Sequence, residues 1–203
     1  LTVAGDFTTS GGLIGKSAYD FDGASGLINC GSDSSIDDIF DSGGTAEAWI
    51  NADSGGGSGG NGRICSKGEW MFYLYHQKLI LGQRFNSGGT FAWWLTDSNV
   101  LTYGKWHHVA VTYDNSNTTN DPIIYVDGKQ VAITEQTEPT PSRDTDAGEN
   151  FYIGNQSDDS ETFEGRIAMV RLFSDIRTEA ELRTDMFNNR ASMDDDGDLE
   201  AMY

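Results

Sequence analysis

Basic residues are scarce in this chain: 13 Lys plus Arg stand against 32 Asp plus Glu, a formal net charge of −19 over 203 residues. Such a field repels nucleic acid and anionic lipid, which sets both aside as partners, and it attracts cations. Cysteine is scarcer still, with only Cys30 and Cys65. Their spacing suits neither a zinc site nor a redox Cys-x-x-Cys pair. Two readings of them stay open: a disulfide, as in an extracellular protein, or two separate buried thiols. No apolar run approaches the ~20 residues of a membrane span, so no membrane insertion is expected. No signal segment is visible, and the chain opens at Leu1, as expected of a processed chain or an excised fragment. His-Glu-x-x-His is missing, which removes the zinc-protease signature.

What is present is a succession of strands. Lys105 to Asp114 is a β-branched and aromatic run without proline, bounded by Gly104 and a polar loop. Ile123 to Val126 and Lys129 to Ile133 flank Asp127-Gly128, the turn pair that a tight type I′ hairpin favours. Further strands are expected at Ala18 to Gly23, Leu27 to Cys30, Ala46 to Ile50, Arg63 to Ser66, Trp70 to Tyr75, Lys78 to Gln83 and Phe91 to Leu95. Phe151 to Gly154, Arg166 to Phe173 and Leu199 to Tyr203 complete the set. Strands about ten residues apart with turn signals between them mean a sandwich or barrel. Asp33 to Phe40 reads as a short helical turn. Thr178-Glu179-Ala180-Glu181 carries a capping-box pattern, so one short C-terminal helix is expected over 179–188. Asp53 to Gly62, nearly all Gly, Ser and Asn, reads as a rim loop, and Glu135 to Asn150 as a long acidic loop. Trp49 and Trp106 are expected in the core.

The order of these segments resembles the laminin G-like jelly roll of the concanavalin A-like lectin-glucanase superfamily, with pentraxin-like features. The residues that carry the resemblance are Phe21-Asp22-Gly23, Thr45 to Ile50, Ile64 to Gly68, Gly104 to Asp114 with Tyr125 to Lys129, Phe151 to Gln156, and Phe163 to Phe173. It implies an all-β, two-sheet antiparallel jelly-roll sandwich filling residues 1–203 as one domain, with its core over 13–187. It implies that the stretch around Phe21-Asp22-Gly23 is the first core hairpin. The pentraxin disulfide would require cysteines near Glu47 and Ala110, where there are none.

Con A-like glycosidases flank the scissile bond with paired strand carboxylates. Here Glu47 and Glu69 stand alone, and adjacent His107 and His108 must face opposite sides of a strand. The chain is therefore expected to be no enzyme but a noncatalytic recognition module for a carbohydrate or cell-surface glycan. The alternative is a structural or adhesive domain of a larger surface or virion protein, with a protein partner and no sugar site. Either implies an extracellular, cell-surface or virion-associated location. The expected ligand residues are Asn61, Trp70, Trp93, Trp94, Asn155 and Asp158, with Tyr75 as a further aromatic. Of Trp93 and Trp94, neighbours on one strand, one must be core and the other is the candidate platform. The pentraxin resemblance implies calcium as cofactor, held by Asp158, Gln156, Asn155 and, from the opposing loop, Asn61, with Asp22 next in line. The run Asp194 to Asp198 is no EF-hand, because Tyr203 stands where the last ligand, a Glu, is needed.

Overall fold

The computed structural model describes residues 2–4, 18–85, 89–156, 161–188, 190–193 and 196–203. Its strands are β1 (Thr2–Ala4), β2 (Tyr19–Asp22), β3 (Leu27–Gly31), β4 (Gly44–Ala52), β5 (Asn61–Lys67), β6 (Trp70–Tyr75), β7 (Lys78–Arg84) and β8 (Phe91–Thr96). They continue as β9 (Trp106–Tyr113), β10 (Ile123–Val126), β11 (Lys129–Val131), β12 (Ile133–Thr137), β13 (Phe151–Ile153), β14 (Glu164–Phe173) and β15 (Leu199–Met202). Two antiparallel sheets result, as expected of the jelly roll. One has eight strands in the order β1-β3-β13-β5-β6-β7-β8-β12. The other runs β11-β10-β9-β4-β14-β15, with β2 also paired to β14.

Turn chemistry explains most of the connections. Asp127 and Gly128 both have positive φ, 52° and 68°, as a type I′ turn requires, and they join β10 to β11. The strand expected over Lys129 to Ile133 is in fact two. The chain leaves one sheet after Val131, and from Ile133 it pairs with β8 in the other. A similar crossing corrects the expected first hairpin. β2 pairs with β14 and β3 with β1 and β13, so the Gly23 turn hands the chain from one sheet to the other. The predicted helix is α1 (Glu179–Asp185), and its capping box is formed by Thr178 and Glu181. A second turn, α2 (Arg190–Met193), follows it.

Two bulges set which side chains face inward. Across β14 and β4 the register slips between Ala168 and Arg171, with Met169 at φ 52°. The extra residue returns Val170 to the interior and keeps Arg171 on the outside. Across β5 and β6 the slip lies between Arg63 and Cys65, which lets Ile64 and Cys65 both enter the core. Neither cysteine is paired, and burial pushes the Cys30 thiol up to about 12. Trp49 is buried, though beneath the C-terminal segment and not between the sheets. Trp106 corrects its expectation: it is half-buried in that same small cluster, with the Arg166 guanidinium 5.9 Å from its ring centre.

Candidate functional site

Alternation along a strand gives the eight-stranded sheet one face toward the core and one toward solvent. On the outer face β6 places Tyr73 and Tyr75, β7 places Ile80, Gly82 and Arg84, and β8 places Phe91, Trp93 and Leu95. Register sets Tyr73 opposite Ile80, Ile80 opposite Leu95, and Gly82 opposite Trp93. A Cβ on Gly82 would collide with the six-membered ring of Trp93. The glycine therefore lets the indole lean across β7. Phe91 stacks on Trp93 at 4.9 Å and 20°, and Tyr73 meets it edge-on at 6.0 Å and 83°. Two guanidiniums brace the cluster, Arg84 over Phe91 at 4.7 Å and Arg63 over Tyr73 at 5.5 Å.

Beside this cluster lies an open groove of about 290 Å³ lined by Asn61, Tyr73, Tyr75, Ile80, Trp93, Leu95 and Gln136. Its lining is aromatic and aliphatic, with one amide from β5 and one from β12. Among the described residues no lining side chain carries a charge, on a chain whose net charge is −19. Burial pushes the Tyr73 phenol up to about 12. An apolar surface with a few placed amides is the usual chemistry of a site for an uncharged ligand.

The structure thus brings together three residues singled out from the sequence, Asn61, Trp93 and Tyr75. It adds Tyr73, Ile80, Leu95 and Gln136, which sequence reasoning missed. A signal for Tyr73 and Ile80 was present, because the two-residue turn His76-Gln77 sets the β6–β7 register. Trp70 and Trp94 are corrections, since they sit on the inner face of the same strands. Trp94 is wholly buried, its Nε1 donating to Asp121 at 2.8 Å. Trp70 meets Phe40 edge-on at 5.1 Å. Neither has a ring face to offer a ligand.

The loop after β13 is a separate place. Asn155 is wholly buried; its Nδ2 donates to Thr162 Oγ1 at 2.7 Å. Its Oδ1 accepts from the backbone N–H groups of Gln156 at 2.8 Å and Glu161 at 3.3 Å. Gln156 Oε1 accepts from Arg63, which also pairs with Glu161. Asp158 lies outside the described residues. Among the described residues no group of three or more His, Cys, Asp and Glu is arranged to hold a metal. Asp22 behaves as a turn acid: hydrogen bonds from the Ala24 and Ser25 backbone, at 2.8 and 3.0 Å, hold its carboxyl below the usual range.

The residues that could suggest acid–base chemistry are engaged structurally. Buried Glu47 pairs with Arg171 at 2.5 Å and lies 3.3 Å from His108 Nε2. Glu69 pairs with Arg84 at 3.2 Å, and burial raises its carboxyl. His107 Nε2 accepts from the Thr102 N–H at 3.1 Å, so its proton sits on Nδ1, 2.9 Å from Asp127.

Comparison with known proteins agrees with this architecture. Among curated protein sequences none matches the chain. A Bacteroides ovatus protein assigned to carbohydrate binding is 24% identical with a TM-score of 0.65, over 92% of this chain and 50% of its own. The chain therefore spans about half the length of that relative. The CBM40 module of a Ruminococcus gnavus IT-sialidase, solved with α2,3-sialyllactose, is 14% identical with a TM-score of 0.56, over 78% of this chain and 95% of its own. The heptameric SAP-like pentraxin of Limulus polyphemus is 16% identical with a TM-score of 0.53, over 70% and 68% of the two chains. At these identities the likeness is one of fold. The laminin G profile of the concanavalin A-like lectin/glucanases superfamily matches residues 22–183, the greater part of the sandwich, and the chain belongs to that family.

Proposed function

We propose that this chain is a noncatalytic glycan-recognition module, extracellular or surface-borne, that binds an uncharged stretch of sugar chain in the groove beside Trp93. The observation that carries the reading is the groove's lining: Trp93, Tyr73 and Tyr75 around Ile80 and Leu95, with the Asn61 and Gln136 amides. Sugar rings present apolar faces that pack on aromatic rings, and their hydroxyls pair with amides. The fold's known relatives include binding modules, which supports the class of ligand but names no sugar. The isolation of Glu47 and Glu69 supports a noncatalytic role, since glycoside hydrolysis uses two carboxylates across one bond. The test is a glycan array with the parent and with Trp93→Ala, each with and without chelator. Binding by the parent and its loss in the variant are expected. An array with no binder for the parent would sink the reading and return the adhesive-domain alternative.

Calcium assistance at the loop after β13 is a further part of this proposal, and it rests on Asp158 and Asn61. The side-chain oxygens of Asn155 and Gln156 are already engaged by N–H groups. With few charged ligands, affinity of about 10⁻⁴–10⁻³ M is expected. A rise in melting temperature with millimolar calcium that Asp158→Ala removes would support the site. An equal rise in both proteins would move the ion elsewhere.

A further inference from the structure

Register across the eight-stranded sheet makes Tyr73, Ile80, Leu95 and Thr134 neighbours on four consecutive strands. They form a row across the strands on the outer face. Two residues to one side of the row Trp93 stands opposite Gly82, and two residues to the other side Tyr75 stands opposite Lys78. The row is therefore the floor of a trough one residue wide, with an aromatic ring on either side. The groove beside Trp93 is one half of it. A second depression, of about 390 Å³, is lined by Lys78, Leu95, Thr96, Asp97, Thr134 and Gln136. The two halves adjoin across Leu95 and Gln136, and the second reaches β12, the last strand in the order of this sheet.

The polar groups of the halves are complementary. Asn61 Nδ2 donates to the Ser58 carbonyl and Gln136 Nε2 to the Thr134 carbonyl, each at 3.3 Å. A carbonyl only accepts, so the nitrogen of each amide is identified and its oxygen is left to accept from a ligand. The second half adds a donor. Lys78 Nζ donates to the Asp97 carbonyl at 3.1 Å, and among the described residues it forms no ion pair, so its other N–H groups remain. The Asp97 carboxylate beside it accepts from the Thr134 hydroxyl at 2.6 Å and offsets the ammonium charge. Acceptors at one end, a donor at the other and no net charge suit a ligand bearing hydroxyls along its length. The trough crosses five strands, from Asn61 on β5 to Gln136 on β12. At a strand spacing of about 4.8 Å its length is about 19 Å, and an extended glycan advances by about one spacing per sugar, which gives about three or four units.

Resting on the glycan reading above, we infer that the trough is a multi-unit site for an extended, unbranched, neutral polysaccharide. The chain lies across the strands. One unit packs beside Trp93 and Tyr73, and the following units pass over Leu95 to Thr134 and Lys78 and leave over β12. A floor one residue wide between two walls takes a single chain and leaves no place for a branch.

Isothermal titration with size-graded ladders of linear gluco-, manno- and xylo-oligosaccharides, from monosaccharide to hexasaccharide, tests this. For the ladder that binds, the affinity of the parent should climb about tenfold or more from disaccharide to tetrasaccharide and then level off, since each hydrogen bond gained is a factor of about five. Lys78→Met, which keeps the stem and removes the ammonium donor, should shrink the ratio of tetrasaccharide to disaccharide affinity by about threefold or more. Trp93→Ala should lower the affinity for both lengths, and thermal melts check that both variants stay folded. Equal affinity of the parent for disaccharide and tetrasaccharide would overturn the multi-unit site and leave glycan recognition standing. So would an array ligand that is branched or held by its terminal sugar alone. An unchanged ratio in Lys78→Met would overturn the second half of the trough. Binding of no ladder and no array glycan would sink the glycan reading and this inference with it.

Discussion

On the outer face of the eight-stranded sheet, Trp93 stands half-exposed over Gly82, beside a groove whose described lining has no charge. On the outer face of the seven-stranded sheet, Trp49 is 6% exposed, its Nε1 donating to the Met186 carbonyl and its ring against Phe187. Each indole rises from a strand interior into the layer outside its sheet. What separates them is the C-terminal segment. α1 and residues 186–188 lie over β4, β9 and β14 and bury Glu47, His108 and Arg171 beneath them. Arg171 in turn donates to the carbonyls of Asp185 and Asn188. A covered face becomes a second, partly ionic layer of the core, whereas an uncovered face of aromatics is left available to a ligand.

The harshest break of the contrast is at the covered face. Arg171→Ala strips the buried Glu47 carboxylate of its guanidinium and should cost about 3–5 kcal/mol, the price of an uncompensated buried charge. Urea denaturation measures it, and a loss under about 1 kcal/mol would mean that water reaches the pair. Glycan binding should survive in whatever fraction stays folded.

A second break separates the two faces of β8 itself. Trp94→Ala should cost about 3–5 kcal/mol, as for a buried aromatic cut to alanine. Trp93→Ala, one residue away, should change stability by about 0.5 kcal/mol, as a surface position does. It should instead weaken glycan binding by at least tenfold, about 1.4 kcal/mol. Calorimetry and thermal melts on both variants decide this; equal destabilisation would refute the assigned faces.

Gly82→Ala sharpens the picture further. The new methyl displaces the Trp93 ring, so affinity should fall while overpacking costs about 1 kcal/mol. Unchanged affinity would show that the tilt of the indole does not matter to the ligand. The smallest expected effect is that of pH. Among the described residues the titratable side chains lining the groove are phenols, and burial pushes that of Tyr73 up to about 12. Affinity should therefore be flat from about pH 5 to pH 9 and insensitive to salt; a drop across either range would place a carboxylate or imidazole at the ligand.

Local chemistry was legible where it is self-contained. Aromatic runs bounded by turn signals marked β6 and β8, Asp127-Gly128 declared its turn through two positive φ angles, and the Thr178–Glu181 box started α1 where expected. These rest on interactions among near neighbours in sequence, so the residues alone settled them. Strand geometry guaranteed that Trp93 and Trp94 face opposite ways. It carried no information on which of the two faces outward, because that depends on where the other sheet lies. The bulge at Met169, the crossing at Ala132 and the split of β2 from β3 came from packing two sheets on one core. The groove needed Asn61, Tyr73, Trp93 and Gln136 from four strands, and only strand order and register place them side by side. Trp49 and Trp93 look alike in a list of residues; the long-range folding back of the C-terminal segment covers one and leaves the other open.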